Sequence, residues 1–202
     1  MTSETAAPSV ATVPGIPLPA GDGWTWEELQ AIPDEAHHHY ELIEGQILMS
    51  PGPNLRHQMC VLNLAVALRA AASADLQVII SPFDFAPERG TVLQPDVLVV
   101  RQGSTEWQRT IAPPVLAIEV ISPSGRTTDT VTKRELYARF GVAHYWIVDP
   151  AEPSVLTLER TADGAYAEAG RAQGSEPLSV ERPFALTVVP SALVDDGVPG
   201  GS

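Results

Sequence analysis

Cysteine is almost missing from this 202-residue chain. Cys60 is the only one, so no internal disulfide can form and no thiolate-rich metal cluster is available. It falls in a segment patterned as a buried helix face, where a packed thiol is the expectation rather than a nucleophile. Long apolar runs are missing too. No stretch approaches the roughly 18 consecutive apolar residues that a membrane-spanning helix needs. The N-terminal segment lacks a basic start followed by an apolar core, so no secretory leader is expected and a cytoplasmic address is the default. Basic charge is scarce: 12 Lys and Arg stand against 25 Asp and Glu, a formal net charge of −13. That balance argues against broad electrostatic binding of nucleic acid, although a local basic strip is compatible with it. No serine elbow of the form G-x-S-x-G occurs, which leaves a small-molecule serine hydrolase unsupported. Internal repeats are absent.

What is present has ordinary globular proportions, 44% hydrophobic and 18% charged residues. The length suits one domain with a sizeable core. Residues 1–23 are rich in Pro, Ala, Thr and Gly without apolar periodicity and are expected to form a disordered tail. A single domain is expected over 24–193, followed by a flexible tail over 194–202. Thr25 with Glu28 forms a capping-box pattern that opens a short helix. Residues 34–39 make a polar connection; the His37-His38-His39 tract resembles a metal tract, but adjacent side chains diverge, so a solvated loop is expected. Residues 40–49 form two short strands turning at Glu44-Gly45. A long helix capped by Asn54 spans 54–72, with Met59, Leu62, Val66 and Leu68 as its apolar recurrences.

Further strands are expected at 76–80, 83–86, 96–100, 115–121 and 144–148, the central ones apolar as in a sheet covered on both faces. A second helix begins at Thr128 or Asp129 and reaches Phe140, with Gly141 as its C′ residue. Peripheral antiparallel strands follow at 155–159, 166–169 and 184–188. The pattern is an α/β (α+β) fold: a mixed β-sheet core flanked by helices, with a C-terminal β-rich extension.

Two carboxylates interrupt these apolar strands. Asp96 follows Gln94-Pro95 at a strand start, and Glu119 sits among Ile118, Val120 and Ile121. An ionised carboxylate in such surroundings loses solvation and tends to be paired or to bind metal. On neighbouring strands the two would repel unless a cation lay between them, and Mg²⁺ (or Mn²⁺) suits one or two carboxylates plus waters. Alternatively, Asp96 is a turn residue. Lys133 lies four residues after Asp129, on the same face of the second helix. It is either a surface ion pair or an ammonium above the sheet, stabilising charge on a phosphate or helping to deprotonate a water. Trp24, Trp26 and Trp107 are expected to be packing residues rather than base-stacking platforms.

The ordered set of motifs carries a resemblance. Tyr40-Glu41-Leu42-Ile43-Glu44-Gly45, Gln94-Pro95-Asp96-Val97 and Glu119-Val120-Ile121-Ser122-Pro123-Ser124 stand in sequence. Asp129, Lys133, Leu136-Tyr137-Ala138, Gly141-Val142 and Tyr145-Trp146-Ile147-Val148-Asp149-Pro150 continue it. From about Trp24 to Leu193 the chain resembles the Uma-type family of restriction-endonuclease-like proteins, in the PD-(D/E)xK nuclease superfamily. The resemblance implies a restriction-endonuclease-like fold and metal-dependent cleavage of nucleic acid, DNA preferred. It makes Asp96 and Glu119 the metal ligands and Lys133 and Glu41 further catalytic residues, Glu41 completing the metal shell directly or through water; alternatively, Glu41 is a buried acid paired with a cation. The usual lysine position, two residues after the acid, holds Ile121; the resemblance implies that Lys133 on the next helix replaces it. His57 matches a recurrent family position, as a capping or core-edge residue or as a phosphate contact. Asp129 and Gln94 stand as auxiliary positions. Ser124-Gly125 replaces a commoner Ser-Thr pair, which would loosen the loop after Glu119. Double-strand cutting would make a two-fold homodimer sensible. The other class of function open to such a chain is a nuclease fold turned binding or oligomerisation module, which the charge of −13 and Ile121 favour.

Overall fold

The computed structural model describes residues 19, 21–32, 38–122 and 125–195. The expectations for the remainder of both tails, for residues 33–37 with His37, and for Ser124 lie outside the described residues.

Thr25 caps α1 (Trp26–Gln30), its hydroxyl accepting from the Glu28 N–H while the Glu28 carboxylate accepts from the Thr25 N–H. β1 (His38–Ile43) and β2 (Gln46–Pro51) then form a hairpin in the expected register. Its two turn residues, Glu44 and Gly45, have φ of 51° and 77°, the pair of left-handed conformations a two-residue hairpin loop requires. Glycine is needed here for a second reason. A Cβ on Gly45 would lie 3.1 Å from the Gly23 Cα.

The Asn54 side chain accepts from the His57 N–H and starts α2 (Leu55–Ala71). Then come β3 (Leu76–Ile80), β4 (Asp84–Glu88), β5 (Thr91–Leu93), β6 (Val97–Arg101), β7 (Arg109–Thr110) and β8 (Leu116–Val120). A π-helical turn, Thr128–Lys133, runs into α3 (Arg134–Arg139). β9 (His144–Asp149), β10 (Ser154–Arg160), β11 (Tyr166–Gln173), β12 (Leu178–Val180), β13 (Leu186–Val188) and α4 (Pro190–Leu193) complete the described chain.

A six-stranded sheet, in the order β11-β10-β9-β8-β6-β3, organises these elements. Within this sheet only β8 and β9 pair in parallel, as a strand–helix–strand crossover demands. Strand alternation divides the core. Val97, Val99, Ile118, Val120 and Trp146 face Cys60, Leu64 and Leu68 of α2. Ala117, Ile121, Tyr145 and Ile147 face Leu136 and Tyr137 of α3. A second sheet, in the order β2-β1-β5-β4-β7, encloses Trp24, Leu29, Leu42 and Val92.

Several expectations change. His38 and His39 belong to β1 rather than to a polar loop. The packed face of α2 is His57, Cys60, Leu64 and Leu68, whereas Leu62 and Val66 are 50% and 62% exposed. This helix is apolar or alanine-bearing on more than one side, so periodicity alone could not choose the buried one. Trp107 is 93% exposed rather than packed. The second helix carries a π turn over Thr128–Lys133 rather than running as a regular α-helix throughout. Its end is as expected: Gly141, at φ 80°, follows Phe140, with the Gly141 N–H on the Ala138 carbonyl and the Val142 N–H on that of Tyr137.

Candidate active site

Antiparallel pairing of β6 with β8 sets Val97 against Ile118, so one step back Asp96 stands opposite Glu119. Asp96 Oδ2 accepts the Val120 N–H at 2.7 Å, which closes the ladder past the end of β6. Glu119 shares its strand face with Ala117 and Ile121 and therefore looks toward the π turn and α3, not toward α2.

Lys133 comes to Glu119 from that helix. Its Nζ lies 3.1 Å from Glu119 Oε1, 2.9 Å from Glu41 Oε2 and 3.5 Å from Asp129 Oδ1. Glu41 reaches the group from β1 of the second sheet, where its Oε1 accepts the Gln94 N–H at 2.7 Å. Tyr137, one turn beyond Lys133, donates its hydroxyl to Glu119 Oε1 at 2.8 Å. Lys133 is only 5% exposed, so it is not the surface ion pair that the helical spacing alone allowed. The Gln94 side chain sits at the junction of the sheets, accepting from His39 and Ser81 and donating to the buried Asp84. A Cβ on Gly125 would lie 3.1 Å from both Asp129 Oδ2 and Ser122 Oγ.

Three carboxylates surround one ammonium, with Asp96 adjoining, and the surplus of negative charge shows in the acidities. Burial pushes Glu119 well above the usual carboxylate range, although the Lys133 charge works against that shift. Burial likewise raises Asp129, to about 6, again opposed by Lys133. Burial disfavours the charged form of Lys133, but Glu119, Glu41 and Asp129 outweigh it and hold its pKa well above the ordinary value. These carboxylates favour the ammonium form of Lys133. Tyr137 and Tyr145 are raised by burial and by Glu119, so both stay protonated and act as donors.

One cavity of about 340 Å³ is lined by Glu41, Asp96, Glu119, Asp129 and Lys133, together with His57, Gln94 and Arg56. All the expected site residues thus meet in one place. Among the described residues no hydrogen bond reaches the second oxygen of Asp96 or of Glu119. Nor do three or more His, Cys, Asp or Glu side chains among them form a group able to hold a metal ion by themselves. Two carboxylates with one spare oxygen each suit a hard divalent cation that keeps most of its waters, as Mg²⁺ does, and not a zinc-type centre.

Tyr137 and Tyr145 were the members the motif pattern did not single out as functional. A usable signal existed. Lys133 is the only lysine in the chain, and Tyr137 follows it at the i+4 spacing that shares a helix face. Cys60 is fully buried and its thiol is pushed up to about 12 by that burial, in keeping with a packing role. No helix among the described residues is long and apolar enough to cross a membrane.

The mixed sheet flanked by helices, with acids gathered at the end of its central strands, defines a restriction-endonuclease-like nuclease fold. A crystal structure from Anabaena variabilis ATCC 29413, described as "a putative nuclease belonging to DUF820", shares it with TM-score 0.67 and 20% sequence identity, over 85% of this chain and 97% of that one. The Uma2 family model, "Putative restriction endonuclease", matches residues 26–191, and the chain belongs to that family. Curated proteins give no match.

Proposed function

We propose that this protein is a metal-dependent endonuclease that hydrolyses phosphodiester bonds, with DNA as the preferred substrate. The observation that carries the reading is a buried ammonium bonded to Glu41 and Glu119, beside Asp96, in one solvent-reaching cavity. Asp96 and Glu119 would hold Mg²⁺ or Mn²⁺, which when bound polarises a phosphate and makes its water more acidic. Lys133 stays charged, so its part is to stabilise negative charge developing on phosphate oxygens rather than to accept a proton. Tyr137 and Lys133 together fix one oxygen of Glu119 and leave the other toward the cavity. Glu41 balances Lys133 and is itself anchored by the Gln94 backbone. What supports the preference for DNA is the description of the family, "Putative restriction endonuclease".

A homodimer belongs to the same proposal. Leu55, Leu62 and Val66 form an exposed apolar line along α2, and a two-fold pairing would cover it.

The test is Glu119→Gln, which keeps the size and the acceptor oxygen. With Mg²⁺ or Mn²⁺, cleavage of DNA should fall by about 100-fold or more, the scale seen when one preorganised electrostatic partner is lost. Circular dichroism should report an unchanged fold. Cleavage that survives the substitution, or that chelator does not suppress in the native chain, would sink the assignment. Absence of carboxylate-dependent Mn²⁺ binding would favour a binding or oligomerisation module, the class the charge of −13 points to.

A further inference from the structure

Two groups from different layers of the molecule approach the same oxygen of Asp96. The Val120 N–H, from the last residue of β8, reaches its Oδ2 at 2.7 Å. His57 Nε2, from the first turn of α2, lies 3.3 Å from the same oxygen. A carboxylate oxygen that accepts one hydrogen bond and lies against a second polar group cannot turn about the Cβ–Cγ bond without giving up both contacts. Oδ1 is thereby left as the oxygen with no protein donor among the described residues, on a side chain 20% exposed in the cavity wall.

His57 is itself fixed in place. Its N–H is capped by Asn54 Oδ1 at 3.0 Å, and the residue is 8% exposed. The ring Nδ1 is buried with no hydrogen-bond partner among the described residues. Because an ionised Asp96 only accepts, the neutral ring must carry its proton on Nε2 and leave Nδ1 bare. A buried polar atom without a partner is costly, a penalty that Leu or Met in the same space would avoid. Packing against Cys60 and the sheet therefore does not explain a histidine here; the contact to Asp96 does.

We propose that His57 is a positioning residue for Asp96: its Nε2–H, acting with the Val120 N–H, sets the carboxylate so that Oδ1 is presented to the cavity and to the cation bound there. The proposal rests on the reading of Asp96 as a cation ligand. It differs from a helix-capping or phosphate-contacting histidine in what the ring nitrogen is for.

The test uses the full chain without nucleic acid, with two substitutions and two readouts. His57→Leu removes the donor, whereas His57→Gln carries an amide nitrogen close to where Nε2 stood. Calorimetric titration should show Mn²⁺ affinity falling about 10- to 100-fold in His57→Leu and staying within about threefold of the native value in His57→Gln, the pattern expected of a partner that orients a ligand. Long-range proton–nitrogen NMR at mildly alkaline pH should find the Nε2–H tautomer in the native chain and a tautomer mixture in Asp96→Ala. Native affinity in His57→Leu overturns the proposal, and so does a His57→Gln affinity as low as that of His57→Leu. A ring protonated at Nδ1, or a tautomer unmoved by Asp96→Ala, overturns it as well, even where His57→Leu fails to fold. A native chain that binds no Mn²⁺ overturns the metal reading instead, and the NMR readout alone then decides whether His57 orients Asp96.

Discussion

At the scale of single residues, the governing fact is a surplus of acid around one base. Glu41, Glu119 and Asp129 all approach Lys133, so one ammonium balances three carboxylates inside a low-dielectric wall. Asp129 pays for this in acidity. Its carboxyl titrates at about 6 in the folded chain against 3.8 in the unfolded one. Between those values the folded state holds the extra proton, so the stability this group contributes is present below about pH 4 and lost as pH rises through 6. Asp129→Asn retains an oxygen for Lys133 and removes the surplus charge. Urea unfolding should therefore show the variant more stable than the native chain near neutral pH, by on the order of 1–3 kcal/mol, with the gap closing below about pH 4. A gap that stays constant with pH would mean that the Asp129 charge is not the source of the cost. The same surplus is what a bound divalent cation would relieve, and it fits a site shaped by chemistry rather than by stability.

The telling element is the π turn that carries Asp129 and Lys133. A wider helical turn loosens the backbone ladder, and such turns are frequent at functional sites. Here the Tyr145 hydroxyl, from β9, donates to the Asp129 carbonyl at 2.7 Å and satisfies it from outside the helix. The contact ties the turn to the sheet at the point where Lys133 must be aimed. Tyr145→Phe should leave that buried carbonyl short of a partner and destabilise the chain by about 1–3 kcal/mol. Catalytic rate should drop along with stability, because Lys133 loses its support. Loss of stability with full activity would show that the turn is held by other contacts. The preceding element is anchored by ordinary rules: Asn54 at the start of α2 and Gly141 after α3 both do what their residue types are suited to.

For the molecule as a whole, two sheets converge on one cavity, one supplying Glu41 and Gln94 and the other Asp96 and Glu119. On the outside of α2, Leu55, Leu62 and Val66 are exposed at 73%, 50% and 62%. Apolar side chains lined up at helical spacing on a chain of charge −13 invite a partner, and two-fold pairing is the commonest way to cover such a stripe. Sedimentation of the native protein should give twice the 21.6 kDa chain mass, and Leu62→Glu with Val66→Glu should return it to one. A native chain that sediments as a monomer would rule out the homodimer. Trp107, 93% exposed, lies beyond the lining of the site cavity, and nothing in the structure explains its exposure.

Most elements were legible from the chain alone, because their signals are local. Thr25 with Glu28, Glu44-Gly45, Asn54 and Gly141 each act on backbone within a few residues, and an apolar strand interrupted by Glu119 betrays a buried charge wherever it lies. Three matters were decided only by tertiary structure. The buried side of α2 was one, since a helix apolar on several faces is oriented by the sheet it meets. The second was Lys133, whose spacing from Asp129 fits a solvated pair as well as a buried cluster until β1 brings Glu41 against it. The third was the contact between His57 and Asp96, which depends on α2 crossing the end of β6. Sequence determined which groups carry charge and which segments must be buried. Long-range packing determined which charges meet, because desolvation and Coulomb energy depend on distance in space and not on distance along the chain.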